Sequence, residues 1–136
     1  MLRLQQPAQR IITLTPHLTE LVFAAGAGTH LAGVARYSDY PQQARQLPVV
    51  SDAAYFDIER MLVLKPDLVL AWQGGTPPET VARLERIGLP VYVSGAARLE
   101  HIARSIEAIA VLAGTQSSSA ALRADFNARL KVLRER

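Results

Sequence analysis

The run Asp67-Leu68-Val69-Leu70-Ala71-Trp72 restricts this chain more than any other segment. After the aspartate it offers no polar side chain to either side of an extended strand. A strand with one wet face alternates apolar and polar residues. A run that is apolar throughout suits a strand covered on both faces, as in a parallel sheet with helices above and below. The residues around it supply those helices. Pro66 precedes the run, and Gly74-Gly75 follow it.

The same alternation recurs along the chain. Arg10–Leu14 reads as a strand, and Thr15 and Pro16 suit the N-cap and first position of a helix carrying Leu18, Leu21, Val22 and Ala25. Gly26 ends that helix. Leu31–Ala35 is a second strand, Pro41–Gln46 a single helical turn, and Val49-Val50 a short extended piece. Asp57 can cap a short helix with Ile58, Met61 and Leu62 as its buried face. Thr76 and Glu79 around Pro77 have capping-box spacing, opening a helix with Val81, Leu84 and Ile87 that Gly88 closes. Val91–Ser94 is the next strand, and Leu99, Ile102, Ile106, Ile109 and Ala113 mark a long amphipathic helix to Gly114. A last helix follows Thr115, with Leu122, Phe126, Leu130 and Leu133 as its stripe. The expected fold is α/β: a small, mainly parallel sheet flanked by helices over residues 1–114, followed by a long last helix over residues 115–136.

Composition narrows the function classes. At 136 residues the chain can bury a real core. The formal charge is +3, but the basic residues are scattered, whereas nucleic-acid faces cluster them with aromatics. No nucleic-acid partner is expected. The absence of cysteine removes disulfides and thiolate metal sites. No apolar run approaches the ~18 residues of a membrane span, and residues 1–9 lack the apolar core of a signal peptide. That start fits a cytoplasmic chain or one read from beyond a cleavage point. No catalytic set is nominated: there is no Walker loop or nucleophile elbow, and His17, His30 and His101 lack metal-ligand spacing. Gly26-Ala27-Gly28 follows a helix and reads as a helix end, not a phosphate loop.

In open α/β sheets, ligands bind outside the carboxyl ends of the strands. Those ends deliver Thr15-Pro16-His17, Tyr37-Ser38-Asp39-Tyr40 and Trp72-Gln73-Gly74-Gly75, with Tyr55-Phe56 in the loop before the short helix. The only tryptophan and three of the four tyrosines thus fall on one rim. Rings there would give a large, partly flat ligand contact area at low entropic cost. On the residues alone, rings that merely cover a loop or close a core explain the pattern equally well. His17, at the mouth of the first helix, reads more readily as a surface histidine than as a ligand contact.

Several segments together resemble one family. Arg10-Ile11-Ile12-Thr13-Leu14-Thr15-Pro16 with Thr19-Glu20-Leu21, Tyr37-Ser38-Asp39-Tyr40-Pro41, Ile58-Glu59-Arg60 with Leu64-Lys65-Pro66-Asp67-Leu68-Val69, and Ala71-Trp72-Gln73-Gly74-Gly75 are similar to the class III substrate-binding proteins of ABC importers. These proteins deliver cobalamin, haem or iron–siderophores. The Tyr-Ser-Asp-Tyr-Pro and Ala-Trp-x-Gly-Gly segments point to the cobalamin branch.

The resemblance implies a two-lobed clamp joined by a long helix, with ligand in the cleft and this chain as its N-terminal lobe. It implies a binder with no catalytic residues, no resident metal and no cofactor, its cargo being cobalamin or a related tetrapyrrole or siderophore. It places the chain in the periplasm, with an inner-membrane ABC permease as partner. Carried over by position, Tyr37, Trp72 and Thr15-Pro16-His17 line the cleft, with Tyr55, Gln73 and Gly74 beside them. Glu59 matches an acidic residue that docks onto the permease, although by position alone it is a first-turn carboxylate favoured by the helix dipole. One departure stands out: where the cobalamin branch carries a tryptophan, this chain reads Asp52-Ala53-Ala54, so Tyr55 replaces that ring or the ligand differs. The alternatives are a haem or iron–siderophore binder, and, in a different class, a stand-alone α/β domain that dimerises as a lone lobe.

Overall fold

The computed structural model describes residues 6–39, 42–52, 55–95, 99–115 and 128; for residues 99–103 it describes the backbone only. Five strands, β1 (Ile11–Thr13), β2 (Leu31–Ala35), β3 (Val49–Ser51), β4 (Leu68–Trp72) and β5 (Val91–Ser94), form one sheet in the order β3-β2-β1-β4-β5. Every pairing between these strands is parallel. The helices are α1 (Pro16–Ala24), α2 (Ile58–Val63), α3 (Pro78–Arg86) and α4 (Leu99–Ala113), with 3-10 turns at Gly28–His30 and Gln42–Gln46.

Strand β4 explains its own composition. Leu68 and Leu70 enter a core with Ile11, Leu18 and Val22 and with Ile106 and Ile109 of α4. Val69 and Ala71 point the other way, into a second core with Ile12, Ile58, Met61 and Leu84. Successive side chains of a strand face opposite sides, so a strand between two helix layers must be apolar at each step.

The caps are local and follow the sequence. Thr15 accepts the Leu18 N–H, and Asp57 accepts the Arg60 N–H at 3.0 Å. Gly26, Gly88 and Gly114 close α1, α3 and α4 at positive φ. Asp67 holds the start of the sheet: its carboxylate accepts the N–H groups of Gln9 and Arg10, both at 2.8 Å.

The capping box expected at Thr76 and Glu79 does not form. The helix begins one residue later, with Pro77 at the cap and no side-chain hydrogen bond there. The Thr76 hydroxyl instead accepts the Trp72 N–H at 3.1 Å. An amide at the end of β4 has a stronger claim on that oxygen than a helix end that begins with Pro77-Pro78 and so lacks two of its donors. Tyr40, Pro41, Ala53, Ala54 and, apart from Thr115 and Ala128, the helix expected over residues 115–136 lie outside the described residues.

Candidate functional site

In the order β3-β2-β1-β4-β5, the chain winds outward from β1 in one direction and from β4 in the other. Between the carboxyl ends of β1 and β4 is the topological switch point, where connecting loops part and leave a crevice. The loop after β1 brings Thr15, Pro16 and His17 to this point, and the loop after β4 brings Trp72, Gln73 and Gly74.

These two loops touch. The His17 and Trp72 rings meet edge to face, 4.9 Å between centroids and 80° between planes. The Thr15 hydroxyl lies 3.0 Å from His17 Nδ1 while also capping α1. His17 Nε2 is buried without a hydrogen-bond partner among the described residues. Burial lowers the His17 pKa, because the imidazolium would lose hydration. A folded-state value below the unfolded one means the unfolded chain takes up the proton first. The stability His17 contributes is therefore complete above about pH 6.5 and is lost as pH falls through its lowered folded value. Thermal melts from pH 7.5 to 5 should show this loss, and His17→Phe should reduce it; an unchanged slope would remove His17 from the account.

Gly74 and Gly75 are present because of the indole. A Cβ on Gly74 would come within 2.7 Å of Trp72 Cζ2, and one on Gly75 within 2.6 Å of Cε3. The backbone after β4 thus folds back onto the ring, and Trp72 is wedged between that turn, His17 and the α1/α4 core, partly exposed. Gln73 and Pro16 are exposed beside it, and the Gln73 N–H bonds the Ser94 carbonyl at 2.9 Å.

Tyr37 stands on the neighbouring loop, after β2. It is 75% exposed, and its φ of 69° is in the left-handed region, rare for a bulky residue. A chain of buried hydroxyls holds this turn: Thr13 to Thr19 at 2.7 Å and Thr19 to Ser38 at 2.9 Å. It ties β1, α1 and the Tyr37 turn together, and each hydroxyl satisfies another. A buried one left alone would cost about 1–3 kcal/mol. Sequence reasoning missed this chain. The available signal was Thr13 ending an apolar strand and Thr19 beside the apolar stripe of α1.

Arg36 places its guanidinium 5.6 Å from the Tyr37 ring centroid. Further along the same edge, Arg36, Val50, Asp52, Tyr55 and Asp57 line an open depression of about 300 Å3. Tyr55 is 63% exposed there, its N–H bonded to the Asp52 carboxylate at 2.9 Å. Glu59 is exposed in the first turn of α2, which starts at this same carboxyl edge. The structure therefore gathers Thr15, His17, Trp72 and Gly74 into direct contact and distributes Tyr37, Tyr55 and Glu59 along the rim. Among the described residues, the Tyr37 and Tyr55 rings do not stack on the His17–Trp72 pair, and no group of three His, Asp or Glu could hold a metal ion.

Residues 11–136 match the periplasmic binding protein family. A vitamin B12-binding protein of Vibrio campbellii is 42% identical over 130 residues, covering 96% of this chain and 47% of that protein. One from Vibrio cholerae is 43% identical over 128 residues, covering 94% of this chain and 46% of that protein. The crystal structure of the periplasmic vitamin B12 binding protein BtuF of Vibrio cholerae superposes with a TM-score of 0.86 at 43% identity, over 95% of this chain and 51% of that one. A periplasmic haem binding protein from Pseudomonas aeruginosa superposes at 0.80 with 28% identity, over 94% of this chain and 46% of that one. The chain spans about half the length of these relatives.

Proposed function

The chain belongs to the periplasmic binding protein family, and from that premise we propose that it forms the N-terminal lobe of a substrate-binding protein that captures cobalamin for an ABC importer. The observation that carries this reading is Trp72, held against His17 at the switch point of a parallel sheet. The vitamin B12-binding relatives at 42–43% identity supply the ligand. Tyr37, Trp72 and Tyr55 offer rings to the corrinoid, with Thr15, Pro16, His17, Gln73 and Gly74 completing the rim. The protein acts by binding and not by catalysis, in the periplasm. Residues 1–114 are the lobe, and residues 115–136 begin the helix toward a second lobe.

A corrinoid resting on one lobe keeps its opposite face in water, whereas small-molecule sites bury most of their ligand. Calorimetric titration of this chain with cyanocobalamin should give saturable binding with a Kd on the order of micromolar or weaker. No heat of binding at millimolar ligand would overturn the reading. Tight one-to-one binding by a monomer would overturn the half-cleft argument.

A haem-binding reading draws on His17 and on the 28%-identical haem-binding relative. Axial ligation would need Nε2 to emerge from beneath Trp72, against the packing that buries it, so titration with haemin should give the weaker binding. Glu59 is the proposed contact with the permease in the inner membrane. A rim charge of this kind guides encounter and fixes register. Glu59→Ala should leave cyanocobalamin affinity unchanged and slow association with permease-bearing vesicles; unaltered association would exclude it.

A further inference from the structure

The depression beside Tyr37 carries an unusual balance for a surface meant to hold a tetrapyrrole. Its charged lining residues are Arg36, Asp52 and Asp57, formally one cation against two anions. Both carboxylates are fixed by local structure: Asp52 Oδ1 accepts the Tyr55 N–H and Asp57 Oδ1 accepts the Arg60 N–H. The backbone N–H of Arg36 donates to the Ser51 carbonyl at 2.7 Å, and its guanidinium lies 5.6 Å from the Tyr37 ring centroid. The hollow is thus lined by Arg36, Asp52 and Asp57 together with Tyr55, Ser51 and the apolar Val49 and Val50.

We propose that this depression is a subsite for neutral carboxamide groups and that it selects against ligands with peripheral carboxylates. A primary amide has two donors and an acceptor, and can meet a guanidinium on one side and a carboxylate on the other. A carboxylate gains at Arg36 but is repelled by Asp52 and Asp57. Corrinoids carry acetamide and propionamide arms, whereas haem carries two propionates. The subsite therefore supplies a reason, built into this lobe, for amide-bearing tetrapyrroles to be taken over acid-bearing ones. This selectivity rests on the functional reading above, because it assumes that a tetrapyrrole lies on this rim.

The test compares cyanocobalamin with its singly hydrolysed monocarboxylic acids, which differ from it by one amide turned to acid. The wild-type chain should prefer the amide by about threefold to tenfold at low salt, and the preference should shrink at about 0.5 M salt as the charges are screened. Asp52→Asn with Asp57→Asn keeps the capping oxygens and removes both charges; the preference should fall toward unity. Arg36→Gln removes the cation and should increase it. Each variant is first melted beside the wild type, and the amide-to-acid ratio within one variant does not depend on its absolute affinity. A ratio that stays unchanged in both variants overturns the subsite. Absence of cyanocobalamin binding by the wild-type chain overturns the functional reading instead.

Discussion

Trp72→Ala should produce the largest single loss, in both stability and ligand binding. The indole packs against the α1/α4 core, takes the His17 ring edge to face, and fills the space that Gly74 and Gly75 leave for it. Truncating a buried Trp costs about 3–5 kcal/mol. Trp72 is only partly buried, so the lower end, about 3 kcal/mol, is expected in urea unfolding followed by circular dichroism. Cyanocobalamin affinity should fall about tenfold or more with the loss of ring contact. The same variant opens His17 to water, so the acid sensitivity assigned to His17 should shrink with it. Trp72→Phe should restore most of the stability and part of the binding. A Trp72→Ala protein with wild-type affinity would mean that the ring closes the core and does nothing for ligand.

Tyr37→Gly should separate binding from stability. The ring is three-quarters exposed, so little core contact is lost with it. The φ of 69° stores strain that glycine does not have, of order 1 kcal/mol for a non-glycine residue. Relief of that strain opposes the greater unfolded-state entropy of glycine. The variant should melt at or above the wild-type temperature and bind cyanocobalamin about tenfold more weakly. A costly conformation with the side chain in solvent makes Tyr37 a candidate for a role in binding, which this variant tests. A destabilised Tyr37→Gly protein that binds normally would assign Tyr37 a structural role.

The fold was legible where the determinants are local or periodic. The apolar run of β4, the caps at Thr15 and Asp57, and the glycine stops at Gly26, Gly88 and Gly114 depend on neighbours within a few residues. Thr76 was misread because its hydroxyl had two bidders, a helix end and a strand end, and only the folded backbone decides between them. Strand order could not be read from a single chain, and with it the switch point that puts His17 against Trp72. Position alone left His17 a surface residue, because its burial comes from a ring 55 positions away. The hydroxyl chain from Thr13 through Thr19 to Ser38 crosses three elements and has no sequence period. The notable residues of the resemblance divide accordingly: Asp67 and Thr19 hold the lobe together, whereas Tyr37 and Tyr55 present rings to the solvent.

Because Trp72 is the chain's only tryptophan, its emission reports from the proposed rim with no other indole to confuse it. Titration with cyanocobalamin, corrected for absorbance with free tryptophan at equal concentration, tests the central claim most directly. Saturable quenching of Trp72, with a midpoint that moves to higher ligand in Tyr37→Gly, is the predicted result. Emission that follows the free-tryptophan control at every concentration would contradict a corrinoid site at the carboxyl edge of this sheet.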